Sequence, residues 1–173
     1  MRLVLKRSTI RDWCPEDAVS LAKHANNRKI WLGVRDLFPN PYTIEAAQEF
    51  LQKATTEKPT RKFCIEVDGE ASGDIGIRIG EDVHRQTAEL GYWLGQEFWG
   101  KGVMSEAAAA FTEYCFENFQ LQRIHAQCFA NNPASNRVLE KIGFVFEGRL
   151  RKNAIKDGKV LDSLLYAKIK DAE

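Results

Sequence analysis

The segment Gln96-Glu97-Phe98-Trp99-Gly100-Lys101-Gly102-Val103-Met104-Ser105-Glu106, followed at once by four alanines, has the spacing in this chain that most directly implies chemistry. It runs from the apolar stretch Ala88 to Leu94 into strong helix formers, so it reads as strand, glycine loop, helix. Glycines at 100 and 102 let the backbone turn several N–H groups towards one point, and the free amides and dipole of the following helix favour an anion there. A phosphorylated ligand is expected; on spacing alone, a tight strand-to-helix turn is the alternative.

What the loop lacks narrows the ligand. A dinucleotide fingerprint, G-x-G-x-x-G, would need glycine where Ser105 stands. Gly95, Gly100 and Lys101 fit G-x-x-x-x-G-K, but Gly102 follows in place of the Ser or Thr that holds Mg²⁺ in a P-loop. Neither hydride transfer nor nucleotide hydrolysis is supported, although nucleotide binding stays open as a competing hypothesis.

The elements that must position this loop can be read from periodicity. Leu3 to Ile10 is strand-like, and Pro15 to Ala25 carries Ala18, Leu21, Ala22 and Ala25 at helical spacing. A long loop holding Trp31, Phe38, Pro39, Pro41 and Tyr42 comes next. Thr43 can then cap a helix with Ile44, Ala47, Leu51 and Ala54 on one face. Lys62 to Val67 and Ala71 to Ile79 are strands around the hairpin dipeptide Asp68-Gly69, and Thr87 to Leu94 continues the meander. The helix after the glycine loop and the strand Arg123 to Phe129 complete a crossover unit, which is right-handed and parallel as a rule. Asn132-Pro133 starts a helix that Gly143 ends, with Val138, Leu139 and Ile142 on its buried face. Phe144 to Leu150 and Val160 to Ile169 close the chain around Asp157-Gly158. The expected order is β-α-α-β-β-β-α-β-α-β-β, a mixed α+β fold whose mostly antiparallel central sheet is flanked by helices.

At 173 residues the chain is expected to form one domain, residues 1–173. Lys plus Arg number 25 against 24 for Asp plus Glu, so no basic surplus points to nucleic acid. Cys14, Cys64, Cys115 and Cys128 form no C-x-x-C pair, and His24, His84 and His125 are scattered, so neither a metal site nor a disulfide framework is indicated. The cysteines point to core packing rather than to a nucleophile, as the apolar neighbours of Cys115 illustrate. Without an apolar run of membrane-spanning length or a secretory h-region, no membrane role is expected, and a reducing cytoplasm fits best.

Two segments together carry a family resemblance. Trp99 to Met104, paired with Asn132-Pro133-Ala134-Ser135-Asn136-Arg137-Val138-Leu139-Glu140-Lys141-Ile142-Gly143-Phe144, resembles the GNAT superfamily of acyl-CoA-dependent N-acetyltransferases. Within it the chain is most similar to the Rim-type (RimJ/RimL-like) ribosomal-protein acetyltransferases, whose second motif reads N-x-x-S-x-x-V-L-E-K-x-G-F. The likeness extends to Phe38-Pro39-Asn40-Pro41-Tyr42-Thr43, Ala88-Glu89-Leu90-Gly91-Tyr92 and Glu147-Gly148-Arg149-Leu150-Arg151, and the expected element order is that fold.

The resemblance implies that the phosphorylated ligand is acetyl-CoA, a cosubstrate, with its pyrophosphate on the backbone amides of Trp99, Gly100, Lys101, Gly102, Val103, Met104 and Ser105. Tyr92, Trp93 and Leu94 would pair with the pantetheine arm as a strand edge receives a peptide, and a backbone N–H there would polarise the thioester carbonyl. Glu89 matches a glutamate that serves as general base, Ser135 is the candidate for the acid or for a hydrogen bond to the CoA sulfur, and Asn132 and Asn136 are candidate CoA contacts. Trp31, Arg35, Asp36, Phe38 and Tyr42 would line the acceptor site.

Two departures from the family pattern stand out. Trp99 and Met104 replace the usual loop residues without removing any phosphate-binding amide, and Leu139 stands where many members have a tyrosine thought to protonate the departing thiolate. The implied reaction is direct acetyl transfer in a ternary complex to a primary amine, either a ribosomal-protein or other N-terminus or a small amine. A homodimer is compatible with the resemblance. The contrasting hypothesis, motivated by Leu139, is a non-catalytic acetyl-CoA sensor or interaction module.

Overall fold

Asp68 and Gly69, at φ 51° and 81°, close the hairpin between β3 (Lys62–Val67) and β4 (Glu70–Ile79) with the left-handed conformations such a turn requires. The same device, Asp157 and Gly158 at φ 51° and 71°, joins β7 (Val145–Lys156) to β8 (Lys159–Ile169). A computed structural model of the chain describes residues 1–170. Its remaining strands are β1 (Arg2–Val4), β2 (Thr9–Arg11), β5 (Thr87–Leu94) and β6 (Arg123–Phe129). The helices are α1 (Ala18–Ala25), α2 (Arg28–Trp31), α3 (Ile44–Thr56), α4 (Val103–Asn118) and α5 (Pro133–Lys141).

The eight strands form one sheet in the order β1-β2-β3-β4-β5-β6-β8-β7. β5 and β6 pair in parallel, Thr87 with Arg123 through Glu89 with His125, because α4 lies between them in sequence and acts as the crossover. The pairs β1–β2, β2–β3, β3–β4, β6–β8 and β7–β8 are antiparallel. The protein is therefore α+β, as expected, and the spans of β5 and β6 match the sequence reading. The opening strand differs: residues 3–10 divide into β1 and β2, folded against each other with Leu3 opposite Ile10. The segment after α1 also contains the short helix α2, started by the Asn27 side chain accepting from the Lys29 N–H at 2.8 Å, where a loop was expected.

Contacts divide the chain into two compact units, Met1–Gly76 with Tyr92–Ala107, and Ile77–Gly91 with the residues from Ala108 onward. β4, β5 and α4 contribute residues to both. The first unit has a core of Trp13, Leu21, Tyr42, Leu51 and Cys64, against which Phe38, Phe50 and Trp93 pack. In the second, Phe111, Cys115, Leu121, Ile124 and Leu139 are fully buried. Leu139 therefore has a packing role in α5.

A polar network ties the first strands to the start of α1. Asp17 accepts both prongs of the Arg11 guanidinium at 2.8 Å each, as well as the Cys14 N–H at 3.0 Å, while Arg11 also donates to Glu66 at 2.6 Å. Burial pushes the Asp17 carboxyl up, but the Arg11 fork and the Cys14 donors outweigh it and hold the group below its ordinary range. Asp17→Ala leaves Arg11 with Glu66 alone and strips the Cys14 N–H of its acceptor, so it should lower stability by about 2 kcal/mol at pH 7. A depressed carboxyl contributes fully above the unfolded value, roughly 3.9, and loses its contribution as pH falls through the folded value. Urea unfolding at several pH values should thus show the gap between wild type and variant constant near neutrality and closing below about pH 4.

Candidate acetyl-CoA site

The loop that dominated the sequence is built from its two ends. At its entry Gly95 donates its N–H to the Ser72 carbonyl at 2.7 Å, and a one-turn helix, Gln96–Phe98, follows. His24, buried beneath, places Nε2 2.9 Å from Glu70 and Nδ1 3.1 Å from Glu97, with its ring 5.6 Å from that of Phe98. Trp99 Nε1 donates to the Leu94 carbonyl at 2.7 Å, so the residue that departs from the family pattern anchors the loop to the end of β5. At the exit Glu106 accepts the Arg7 backbone N–H at 2.9 Å and its guanidinium at 3.3 Å.

Between these anchors Gly100 and Gly102 have φ 74° and 79°, and the space a side chain on Gly100 would enter is open. The backbone ladder resumes only with the Glu106 N–H donating to the Gly102 carbonyl at 3.1 Å. Val103, Met104 and Ser105 are thus first-turn residues whose N–H groups have no intrahelical partner. Val103 and Met104 bury their side chains, leaving only their backbone for a ligand, which explains why Met104 is tolerated. Lys101 is exposed, its Nζ 5.7 Å from the centre of the Phe98 ring, so a positive charge stays at the loop. Amides, dipole and cation fit a pyrophosphate.

The second motif lies in the other unit. Asn132 Oδ1 accepts the Ser135 N–H at 3.3 Å and caps α5. The Ser135 hydroxyl lies with its Oγ 3.4 Å from Cys128 Sγ. Asn136 Oδ1 is buried without a hydrogen-bond partner in the protein, which is consistent with a polar group of a ligand or a water completing it. Burial pushes the Cys128 thiol up and the Ser135 hydrogen bond opposes this, so the thiol is protonated at neutral pH.

Glu89, on β5, is largely buried and ion-paired with the exposed Arg78 of β4. Its register partner His125 has a buried Nδ1 without a hydrogen-bond partner, and burial pushes that imidazole below its ordinary value, against the pull of Glu89. Neither His125 nor Arg78 was singled out from sequence; each occupies an alternating strand position and carries no motif.

Of the residues expected at the acceptor, Phe38 lies with its ring 4.7 Å from Tyr42 and 5.6 Å from Trp93. Tyr42 is buried in the core cluster and its N–H donates to Asn26 Oδ1 at 3.1 Å. Trp31 is half-buried beneath the Arg28 guanidinium, 5.3 Å from its ring centre, whereas Arg35 and Asp36 are exposed. Phe38 and Tyr42 converge, with Trp93 linking them to β5.

Comparison with known proteins accords with this geometry. The acetyltransferase (GNAT) domain matches residues 7–145. The candidate ribosomal N-acetyltransferase YdaF of Bacillus subtilis is 35% identical over 94% of this chain and 91% of its own length. The ribosomal-protein-serine acetyltransferase of Escherichia coli is 33% identical over 65% of this chain and 63% of its own length. Among solved structures, RimJ of Mycobacterium smegmatis in complex with CoA-disulfide superposes with a TM-score of 0.84 at 26% identity, covering 94% of this chain and 82% of that one.

This chain belongs to the GNAT acetyltransferase family. It is an acyl-CoA-dependent N-acetyltransferase with acetyl-CoA as cosubstrate. No cluster of potential metal ligands exists among the described residues, and no helix among them is long and apolar enough to cross a membrane.

The amide cradle can be tested without knowing the acceptor. Gly102→Val places a branched side chain at a positive φ and against Arg7, whose Nε lies 3.5 Å from the position its Cβ would take. Calorimetric titration with CoA should show affinity falling at least tenfold, roughly 1.4 kcal/mol, while cooperative thermal unfolding is retained.

Proposed function

We propose that this enzyme acetylates the α-amino group of a protein, with a ribosomal-protein N-terminus as the foremost acceptor, in the cytoplasm. The observation that carries the reading is similarity to YdaF, named for ribosomal N-acetyl transfer, over 94% of the chain. Spermidine N(1)-acetyltransferase of Escherichia coli, 26% identical over 76% of this chain, motivates a small polyamine as the second acceptor class. All four cysteines are free, which suits a reducing compartment.

The reaction needs a deprotonated amine, a polarised thioester carbonyl and a proton for the leaving thiolate. In our reading the amides of Gly100 to Ser105 hold the pyrophosphate; the Trp99 N–H, expected among them, instead donates to the Gln96 carbonyl at 3.1 Å, and Asn132 and Asn136 are further polar contacts. The backbone of Tyr92, Trp93 and Leu94 faces the donor arm, while Trp31, Arg35, Asp36, Phe38 and Tyr42 border the acceptor. Glu89 serves as the base; it pairs with the Arg78 guanidinium and stands opposite His125 in the parallel β5–β6 register. Ser135, which already shares its hydroxyl with Cys128, supplies the proton in place of the tyrosine absent at Leu139. Amine attack is direct, without a covalent enzyme intermediate, since burial raises the Cys64, Cys115 and Cys128 thiols out of the nucleophilic range.

A panel of ribosomal N-terminal peptides, amino acids, aminoglycosides and polyamines, incubated with acetyl-CoA and resolved by mass spectrometry, tests the acceptor. Gain of one acetyl group at the α-amine of a ribosomal peptide is expected; acetylation of polyamines alone would replace that reading. With the best acceptor, Glu89→Gln should lower kcat by about a hundredfold or more and leave CoA affinity unchanged. Unchanged kcat would remove Glu89 as base.

A further inference from the structure

Asp74 is the acidic residue in the middle of strand β4, between the small residues Gly73 and Ser72 and the apolar Ile75 and Ile77, and the reaction as described leaves it without a role. Its register partner on β3 is Cys64, a member of the core cluster formed with Trp13 and Tyr42, so Asp74 faces the same side as those aromatics. Trp13 Nε1 donates to Asp74 Oδ1 at 3.1 Å. An ionised carboxylate accepts about four hydrogen bonds, which leaves capacity for a further donor. Burial pushes the Asp74 carboxyl up to about 6, with Lys62 and the Trp13 hydrogen bond opposing the shift. The charge of Asp74 in turn helps to raise Tyr42 and Cys64. Lys62 is exposed and stands over Phe50, 5.4 Å from the ring centre. Part of Asp74 remains exposed, so a small cation can reach it from solvent.

The strand geometry relates this carboxylate to the donor arm. Gly95 N–H bonds the Ser72 carbonyl, and a Cβ on Gly73 would lie 2.6 Å from the Trp93 carbonyl, so residues 72–74 of β4 run directly alongside residues 93–95. Adjacent strands lie about 4.8 Å apart. Asp74 is therefore one strand from the backbone assigned above to the thioester. Trp93 and Phe38 wall the same surface, their rings 5.6 Å apart.

We propose that Asp74 is the counter-ion that captures the ammonium group of the acceptor, flanked by Trp13, Phe38, Tyr42 and Trp93, and so restricts this enzyme to cationic primary amines. Aromatic faces and a desolvated carboxylate both favour an ammonium over a neutral nucleophile. The carboxylate orients the nitrogen towards the thioester, and the ammonium gives up its proton through water before it attacks. This inference deepens the proposed function and rests on it.

The test compares wild type, Asp74→Asn and Glu89→Gln in steady-state kinetics from pH 5 to 9, using the best amine of the panel whichever class it belongs to. Asp74→Asn should raise the acceptor KM at least tenfold, keep kcat within about threefold and leave the CoA dissociation constant unchanged. In wild type the acceptor KM should rise as pH falls through about 6, where the carboxyl is protonated, and this dependence should vanish in Asp74→Asn. Glu89→Gln should lower kcat and keep the KM profile. An unchanged KM in Asp74→Asn, or a parallel loss of CoA affinity, overturns the proposal. Should the panel yield no product, calorimetric titration of seryl and polyamine ligands into the CoA-loaded protein decides separately. Tighter binding to wild type than to Asp74→Asn upholds the ammonium site while the acceptor reading falls; equal or absent binding overturns the site itself.

Discussion

The free amide groups at the start of α4 are the constraint on which the proposed acetyl-CoA site depends. Helix geometry forces the first N–H groups to lack carbonyl partners, and Gly100 and Gly102 aim the preceding backbone at the same point. Such a cradle works only if it is rigid, since ordering a loop on binding would subtract from affinity. Rigidity is supplied from three directions: the Trp99 indole bonds the end of β5, His24 meets Glu97, and Glu106 holds Arg7. Each of these anchors acts through a side chain, so the amides from Gly100 to Ser105 stay available for the proposed phosphate contact.

Environment separates the carboxylates of this protein into distinct chemical roles. Asp17 is buried and sits in the fork of Arg11, where ionisation is favoured. Asp74 is half-buried opposite a thiol with one indole donor, where ionisation is costly. Glu89 keeps an exposed arginine as its partner and a neutral-leaning histidine at its side. The three groups share one functional chemistry and differ in desolvation and in the nearest cation.

Much of the fold was legible because its signals are local. The alternation in Thr87 to Leu94 and Arg123 to Phe129 delimited both parallel strands, and the Asp-Gly pairs marked both hairpins. Asn132-Pro133 and Gly143, at φ 84°, bounded α5. The division of the first strand and the helix at Arg28–Trp31 were missed, since three- and four-residue elements carry too few positions for a period to emerge. In the candidate site the glycine loop was legible and Asp74 was not. Its partner Trp13 stands 61 residues away, and no sequence spacing links the two.

The amino-acid sequence by itself determined the order of elements, the turn and cap positions, and the amide cradle that marks an acetyl-CoA enzyme. Those features follow from φ preferences, hydrogen-bond donors and side-chain alternation within a few residues. Only the tertiary structure decided that the Ser135 hydroxyl goes to Cys128, that Tyr42 and Leu139 belong to cores, and that Asp74 loses water beside Trp13. Desolvation and partner choice depend on segments brought together from distant parts of the chain. The donor loop was therefore written locally, whereas the acceptor surface came into being only on folding.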